Sequence, residues 1–240
     1  METDSQEIVN SFVDQYGLTR GQVIAEIEKT FSSMLSRWHR KNVIAMFTEG
    51  HLQALAYEQD AGGRIIQTPV DLARMRGWNT IRRIIEQNLG KAACLDEVAR
   101  LKRLEHQVFW GEIVRKNGRA LQVEIPIEPG QVIMATCLLQ HIGRHERDSL
   151  LAGQCRAFHL RRVDPVSLNG TPRTRVLVDR VSKHLVSGLL QSRLDGVKVT
   201  CRKRYVGRKS FVGTDRFIPR RIILETAREL GEHIQVKVQR

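Results

Sequence analysis

The sequence predicts a multidomain α+β chain, with helices on a small sheet first, a five-stranded β-barrel second and an αββαβ module last. Three observations lead there. The spacing of apolar residues is close to a helical period up to about residue 105. It shortens to the strand period of two between 106 and 183, and is mixed from 184 to 240. The length, 240 residues with 27% charged and 41% hydrophobic, suffices for two or three small cores. The charge is also segregated. Residues 156–240 hold 20 Lys and Arg against 7 Asp and Glu, whereas residues 1–155 hold 19 of each, so the last third carries the whole net charge of +13.

In region 1–105, Val23, Ile27, Phe31, Leu35 and Trp38 recur at near-helical spacing after Thr19, an N-cap residue. An amphipathic helix is expected over 20–38, after an earlier one carrying Ile8, Phe12 and Tyr16. Strand-like runs follow at Val43–Phe47 and Leu52–Tyr57, with Glu49-Gly50 as the turn, and around Ile65-Ile66. Ile81, Ile84, Ile85 and Leu89, then Leu95, Val98, Leu101 and Leu104, read as helical. These helices on a small sheet make region 1–105 an α+β domain.

Region 106–183 holds five strand-like runs: Val108–Arg115, Leu121–Ile125, Val132–Leu138, Gln154–Val163 and Arg173–Asp179. Asn117-Gly118 marks a hairpin turn, since both residue types tolerate positive φ. Leu121, Val123 and Ile125 alternate with Gln122 and Glu124 as in a half-buried strand. Five short strands in this length predict a small closed barrel of the OB type. Region 184–240 begins with a helix on Leu185, Leu189, Leu190 and Leu194, then an alternating strand from Val197 to Cys201. Pro219 opens a helix lined by Ile222, Ile223 and Leu230 and closed by Gly231, and Ile234-Val236-Val238 alternate as a last strand.

A segregated positive excess attracts polyanions, and here it lies on strand-like rather than amphipathic helical patterns, which favours nucleic acid over a membrane. Its densest stretch is Lys198, Arg202, Lys203, Arg204, Arg208, Lys209, Arg216, Arg220 and Arg221, opposed within that span only by Asp215. These nine side chains are the candidates for phosphate contacts. On the barrel, Trp110 is expected to face outward, because Phe109, Gly111 and Ile113 share the inward side; it is the candidate for base stacking. His159 and Arg161, two apart on the fourth barrel strand, are expected on the same outer surface.

Enzymatic motifs are missing: no Walker loop, GxSxG or dinucleotide fingerprint occurs. His141 and His145 form an H-x₃-H pair, but Gly143 and the charged run 144–148 mark a surface loop, and no metal or cofactor is expected. Cys94, Cys137, Cys155 and Cys201 stand apart without zinc-ligand spacing and read as structural thiols of a reducing compartment. No apolar run reaches the roughly 20 residues that span a bilayer. The acidic opening lacks the order of a secretory signal. The expected location is the cytosol.

The barrel sequence Phe109-Trp110-Gly111-Glu112-Ile113-Val114, Asn117-Gly118, Leu121-Gln122-Val123, Gly153-Gln154 and Val176–Arg180 resembles an S1 RNA-binding domain. The stretch Ile222–Val236 resembles the helix-to-strand segment of a bacterial KH domain, with Phe217-Ile218-Pro219-Arg220 where that family has Gly-x-x-Gly. Leu18–Val23 with the helix to Trp38, the hairpin 41–63 and the junction 100–111 resemble the front of the NusA transcription factors. The resemblance implies a domain at 1–105 that docks on RNA polymerase. An S1 domain at 106–183 and a single KH-like domain at 184–240 would hold nascent single-stranded RNA, so as to modulate pausing, termination or antitermination. The same S1–KH order also resembles cap subunits of an RNA degradation complex, although those open with short strands rather than long helices. A DNA-binding regulator would need a helix-turn-helix, which the sequence does not show.

Overall fold

The computed structural model describes residues 2–59, 62–72, 77–194 and 196–238. It is mixed α+β and divides into two compact units, Met1–Glu97 with Ser167–Arg173, and Val98–Val166 with Thr174–Arg240. Among the described residues no helix is long and apolar enough to cross a membrane.

The first unit opens with α1 (Glu2–Tyr16) and α2 (Arg20–His39). Thr19 starts α2 with a capping box: its hydroxyl accepts the Gln22 N–H, and the Gln22 side chain accepts the Thr19 N–H at 2.8 Å. The left-handed residue Arg40 ends the helix. The stripe Val23, Ile27, Phe31 and Leu35 is buried. Strands β1 (Asn42–Thr48), β2 (His51–Gln59) and β3 (Ile65–Pro69) form an antiparallel sheet in that order. The β1–β2 turn is Glu49-Gly50, both at positive φ, as two-residue hairpins require.

Strand β1 is an edge strand, and α2 closes that edge with side chains one helical turn apart. The N–H groups of Val43, Ala45 and Phe47 donate to Ser36 Oγ, Ser32 Oγ and Glu28 Oε1 at 2.9, 2.8 and 2.7 Å. Three backbone donors that would otherwise recruit another strand are thereby satisfied within the chain. Helix α3 (Trp78–Lys102) adds Ile81, Ile85 and Leu89 to this core.

In the second unit, β4 (Val108–Lys116), β5 (Ala120–Glu128), β6 (Gln131–Leu138), β7 (Cys155–Leu168) and β8 (Thr171–Asp179) close into a barrel of order β4-β5-β6-β8-β7. Leu121, Val123 and Ile125 point inward and are fully buried, in the alternation expected. Gly111 is needed there, because a Cβ would lie 2.7 Å from Val123 and 2.9 Å from the Glu124 carbonyl oxygen.

The β4–β5 turn stands where expected, but its cause differs. Neither Asn117 nor Gly118 has positive φ. Instead the Asn117 side-chain oxygen accepts the N–H groups of Arg119 and Ala120, so the amide group organises the loop.

The chain continues as α4 (Lys183–Gln191), β9 (Val199–Tyr205), β10 (Lys209–Thr214), α5 (Arg220–Leu230) and β11 (His233–Val238). The sheet runs β11-β10-β9, with β10 parallel to β11 and antiparallel to β9. One face packs on the helices through Leu185, Val186, Leu189, Leu190, Val199, Cys201, Val212, Leu230 and Ile234, and barrel residue Ala157 joins the same cluster.

A buried arginine locks this module to the barrel. Arg180, 1% exposed, engages all five guanidinium N–H groups. Two reach Glu146 Oε2 at 3.0 and 2.8 Å. The others reach the Ala157 carbonyl at 2.7 Å, Glu229 Oε1 at 2.9 Å and the Glu229 carbonyl at 3.0 Å. The plane also lies 5.7 Å from the Phe158 ring centroid. Burial alone would lower the Arg180 pKa, but Glu146 and Glu229 reverse the effect and raise it. Removing the cation strands the Glu146 carboxylate away from water and leaves that of Glu229 with only Arg156 and the Ala157 N–H. Arg180→Ala should therefore cost about 3–5 kcal/mol in urea unfolding; a loss under about 1 kcal/mol would contradict the role assigned to this residue.

Candidate nucleic-acid interface

The sequence-derived candidates fall into three groups in the structure. On the barrel, Trp110 does point outward and is 41% exposed, and its cross-strand neighbour is Ala157. Two residues along the same face, however, Glu112 and Glu124 stand opposite each other, both exposed. The field beside Trp110 is thus acidic along the strand.

His159 and Arg161 share the outer side of β7, but only Arg161 reaches the surface. Contrary to the surface role expected from sequence, His159 is 3% exposed. Its Nδ1 lies 3.2 Å from Asp179 Oδ2, and its ring stacks with His106 at 5.8 Å and His184 at 5.6 Å between centroids. Arg161 Nη1 forms an ion pair with the same carboxylate oxygen at 3.5 Å. Burial would raise the Asp179 carboxyl, yet the hydrogen bonds from His159 and the Ser182 N–H, with the Arg161 charge, hold it below the usual range. His184 is shifted down, first by its own desolvation and then by the neighbouring His159, His106 and Lys183. Among the described residues no three such side chains converge as metal ligands do. In the candidate loop, His145 Nε2–H donates to the Leu230 carbonyl at 3.0 Å.

The third group is the basic stretch. Arg204 must be removed from the phosphate candidates. Its side chain is 3% exposed, paired bidentately with Glu232 and donating to the Ser182 carbonyl at 2.6 Å. Glu232 also accepts from the Gly207 N–H and the Ser210 hydroxyl, which keep its carboxyl low despite burial. A bulge explains how a charged strand residue came to point inward. Lys203 pairs with Phe211 and Cys201 with Val212, leaving Arg202 without a partner opposite. The extra residue switches the alternation, so Val199, Cys201 and Arg204 face the helices while Lys203 and Tyr205 face away.

The remaining cations stay available. Lys198, Arg202, Lys203, Arg208, Arg216, Arg220 and Arg221 are exposed and Lys209 is half-buried. Among the described residues, only Arg221 of these has a carboxylate partner, Glu225 at 2.8 Å. By contrast, every described side-chain carboxylate beyond residue 155 except Asp215 is already paired with an arginine. Asp215 accepts the Lys198 backbone N–H at 3.0 Å.

These cations form two groups, one where β10 leads into α5 and one from the bulge of β9 to the β9–β10 hairpin. Lys198, Arg216, Arg220 and Arg221 gather where β10 leads into α5. Beside them Phe217 is 78% exposed, and Ile218 anchors the loop in the core. Helix α5 starts at Pro219 with no side-chain cap and no acid in its first turn, which leaves its positive end open. The other group, Arg202, Lys203, Arg208 and Lys209, surrounds the β9–β10 hairpin. It includes two rings that sequence reasoning passed over: Lys203 Nζ is 4.8 Å from the Tyr205 centroid, and Lys209 Nζ is 5.0 Å from that of Phe211. Strand alternation alone could have suggested them, but the bulge hides it.

No protein-family model matches the chain, and no curated protein matches it. Among solved structures, one match is a multidomain protein with nucleic acid binding domains from Streptococcus pneumoniae TIGR4. It is 12% identical, with a TM-score of 0.20 over 61% of this chain; the match covers 44% of that protein, under half its length.

The depressed His184 has a consequence for stability. Below its ordinary value of 6.5 the unfolded chain takes up a proton that the folded His184 resists. Stability present at higher pH is therefore lost as pH falls from about 7 toward 5. A thermal-melt series across that range should fall for the wild type and less steeply for His184→Gln, the remaining slope coming from His141, which burial also lowers. Equal slopes would assign the effect to other groups.

Proposed function

We propose that the chain is an RNA-binding protein that holds single-stranded RNA on its second unit. The observation that carries this reading is the sorting of charge beyond residue 155: every described carboxylate but Asp215 lies paired with an arginine, and the unpaired cations concentrate between 198 and 220. The pairs cancel one another, so the segment's positive excess is left on these unpaired cations, which suits a phosphate backbone.

The first contact is assigned to the entry of α5. Arg216, Arg220 and Lys198 would neutralise phosphates, the open helix end would favour an adjacent phosphate oxygen, and Phe217 offers a ring to an unstacked base. Side-chain cations here take the place of the close backbone approach that glycines allow. The closed barrel followed by an αββαβ module supports the S1-plus-KH-like reading, and with it a NusA-like factor acting on nascent transcript.

On that reading the first unit docks on RNA polymerase. Supporting it, the sheet face away from α2 presents Ile44, Leu55 and Pro69 in register, with Ile44 41% exposed. An apolar row on an otherwise charge-neutral unit suits a protein partner better than a polyanion.

Affinity for a fluorescent single-stranded RNA should fall steeply with potassium chloride. The double variant Arg216→Gln/Arg220→Gln should reduce the log–log slope by roughly 0.7 per charge removed. Salt-independent binding, or an unchanged slope, would refute the assignment. Separately, immobilised full-length chain should retain purified bacterial RNA polymerase, and Ile44→Asp should weaken that retention. Absence of retention at low salt would eliminate the docking role while leaving the RNA reading intact.

A further inference from the structure

We infer that the outer face of the β9–β10–β11 sheet is a second single-stranded nucleic-acid surface, on which bases stack against Tyr205 and Phe211. The inference rests on the reading of the chain as an RNA binder, but it uses a face which that reading does not need.

The inward side of this sheet is occupied by its own helices through Val199, Cys201, Ser210 and Val212. The outward side carries Lys203 and Tyr205 from β9, Lys209 and Phe211 from β10, and His233, Gln235 and Lys237 from β11, as the registers dictate. Tyr205 is 46% exposed, and His233, Gln235 and Lys237 are exposed too. No carboxylate lies among these seven residues. Glu232, next to His233 in the chain, is turned inward onto Arg204. A cationic face with one exposed and one half-buried aromatic ring fits a ligand that offers both negative charge and flat π-surfaces at short intervals. Single-stranded nucleic acid has both; an acidic peptide supplies only the charge.

The pairing pattern supplies a mechanism. Tyr205 lies opposite Lys209, and Phe211 opposite Lys203. In the unbound chain the Lys203 ammonium rests over the Tyr205 ring and that of Lys209 over Phe211. Exposed cation–π contacts of this kind are weaker than base–aromatic stacking. An arriving base therefore displaces the ammonium from the ring, and the freed lysine turns to the adjoining phosphate. The two rings are 6.3 Å apart and inclined at 73°. They accept two bases turned out of a common stack, which a flexible pyrimidine-rich strand adopts readily and a duplex does not.

The test uses the full chain and a uridine oligomer of about ten nucleotides. Tyr205→Ala and Phe211→Ala should each weaken binding at least about fivefold with little change in salt slope, since no charge is removed. Ultraviolet cross-linking of the wild type should attach RNA to the peptides holding Tyr205 and Phe211, a readout independent of any variant's folding. If both ring variants bind like wild type while Arg216→Gln/Arg220→Gln weakens, the sheet face is not used and the proposed function stands. No binding of the oligomer by the wild type would overturn both. A poly-glutamate peptide that binds as tightly and is equally sensitive to the ring variants would overturn the nucleic-acid assignment of this face.

Discussion

The arrangement of the second unit depends on Arg180. A guanidinium with all five N–H groups committed inside a protein has no competing orientation. It therefore fixes Glu146 of the barrel, the Ala157 backbone on β7 and the last turn of α5 in one geometry. Three residues later Glu232 repeats the device with Arg204 and so ties the hairpin to the same turn. Such buried pairs are expensive to desolvate and add little net stability over apolar packing. What they contribute is a strong penalty for any arrangement that separates them. The positions of the β9–β10 hairpin and the start of α5 follow from these two anchors.

The same pairs shape the exterior. Glu146, Glu229 and Glu232 are held in the interior or at its margin, and Asp179 is enclosed beside the histidine stack. Taking carboxylates inward makes the surface more cationic than the sequence average. The internal scaffold and the external field are thus two results of one distribution of charge. In the first unit, side chains are used differently: Glu28, Ser32 and Ser36 act as a hydrogen-bonding strip along β1 and close an edge against strand addition.

Much of the architecture was legible in the sequence because it rests on periodicity. The Thr19 cap, the Val23-to-Leu35 stripe, the Glu49-Gly50 turn and the alternation through Leu121, Val123 and Ile125 are local signals, and local physics honours them. The candidate site was less legible, since its determinants are long-range. Nothing near Arg204 shows that Glu232 awaits it across the sheet. Nothing near His159 shows that His106 and His184 will cover it. Asn117 marked the right turn for another reason, because composition does not distinguish a residue tolerating positive φ from one whose side chain bonds the loop. Tyr205 and Phe211 escaped notice because the change of phase at Arg202 broke the pattern that would have exposed them.

That change of phase gives β9 one residue more than its ladder with β10 requires. Loss of Arg202 would set Cys201 and Lys203 side by side on opposite faces, where they already point, and Arg204 would still reach Glu232. Substitution of Arg202 and a single-codon deletion there would both leave the two faces of the sheet as they are. Variation in this strand is therefore expected to be freest at Arg202, in residue type and in presence alike.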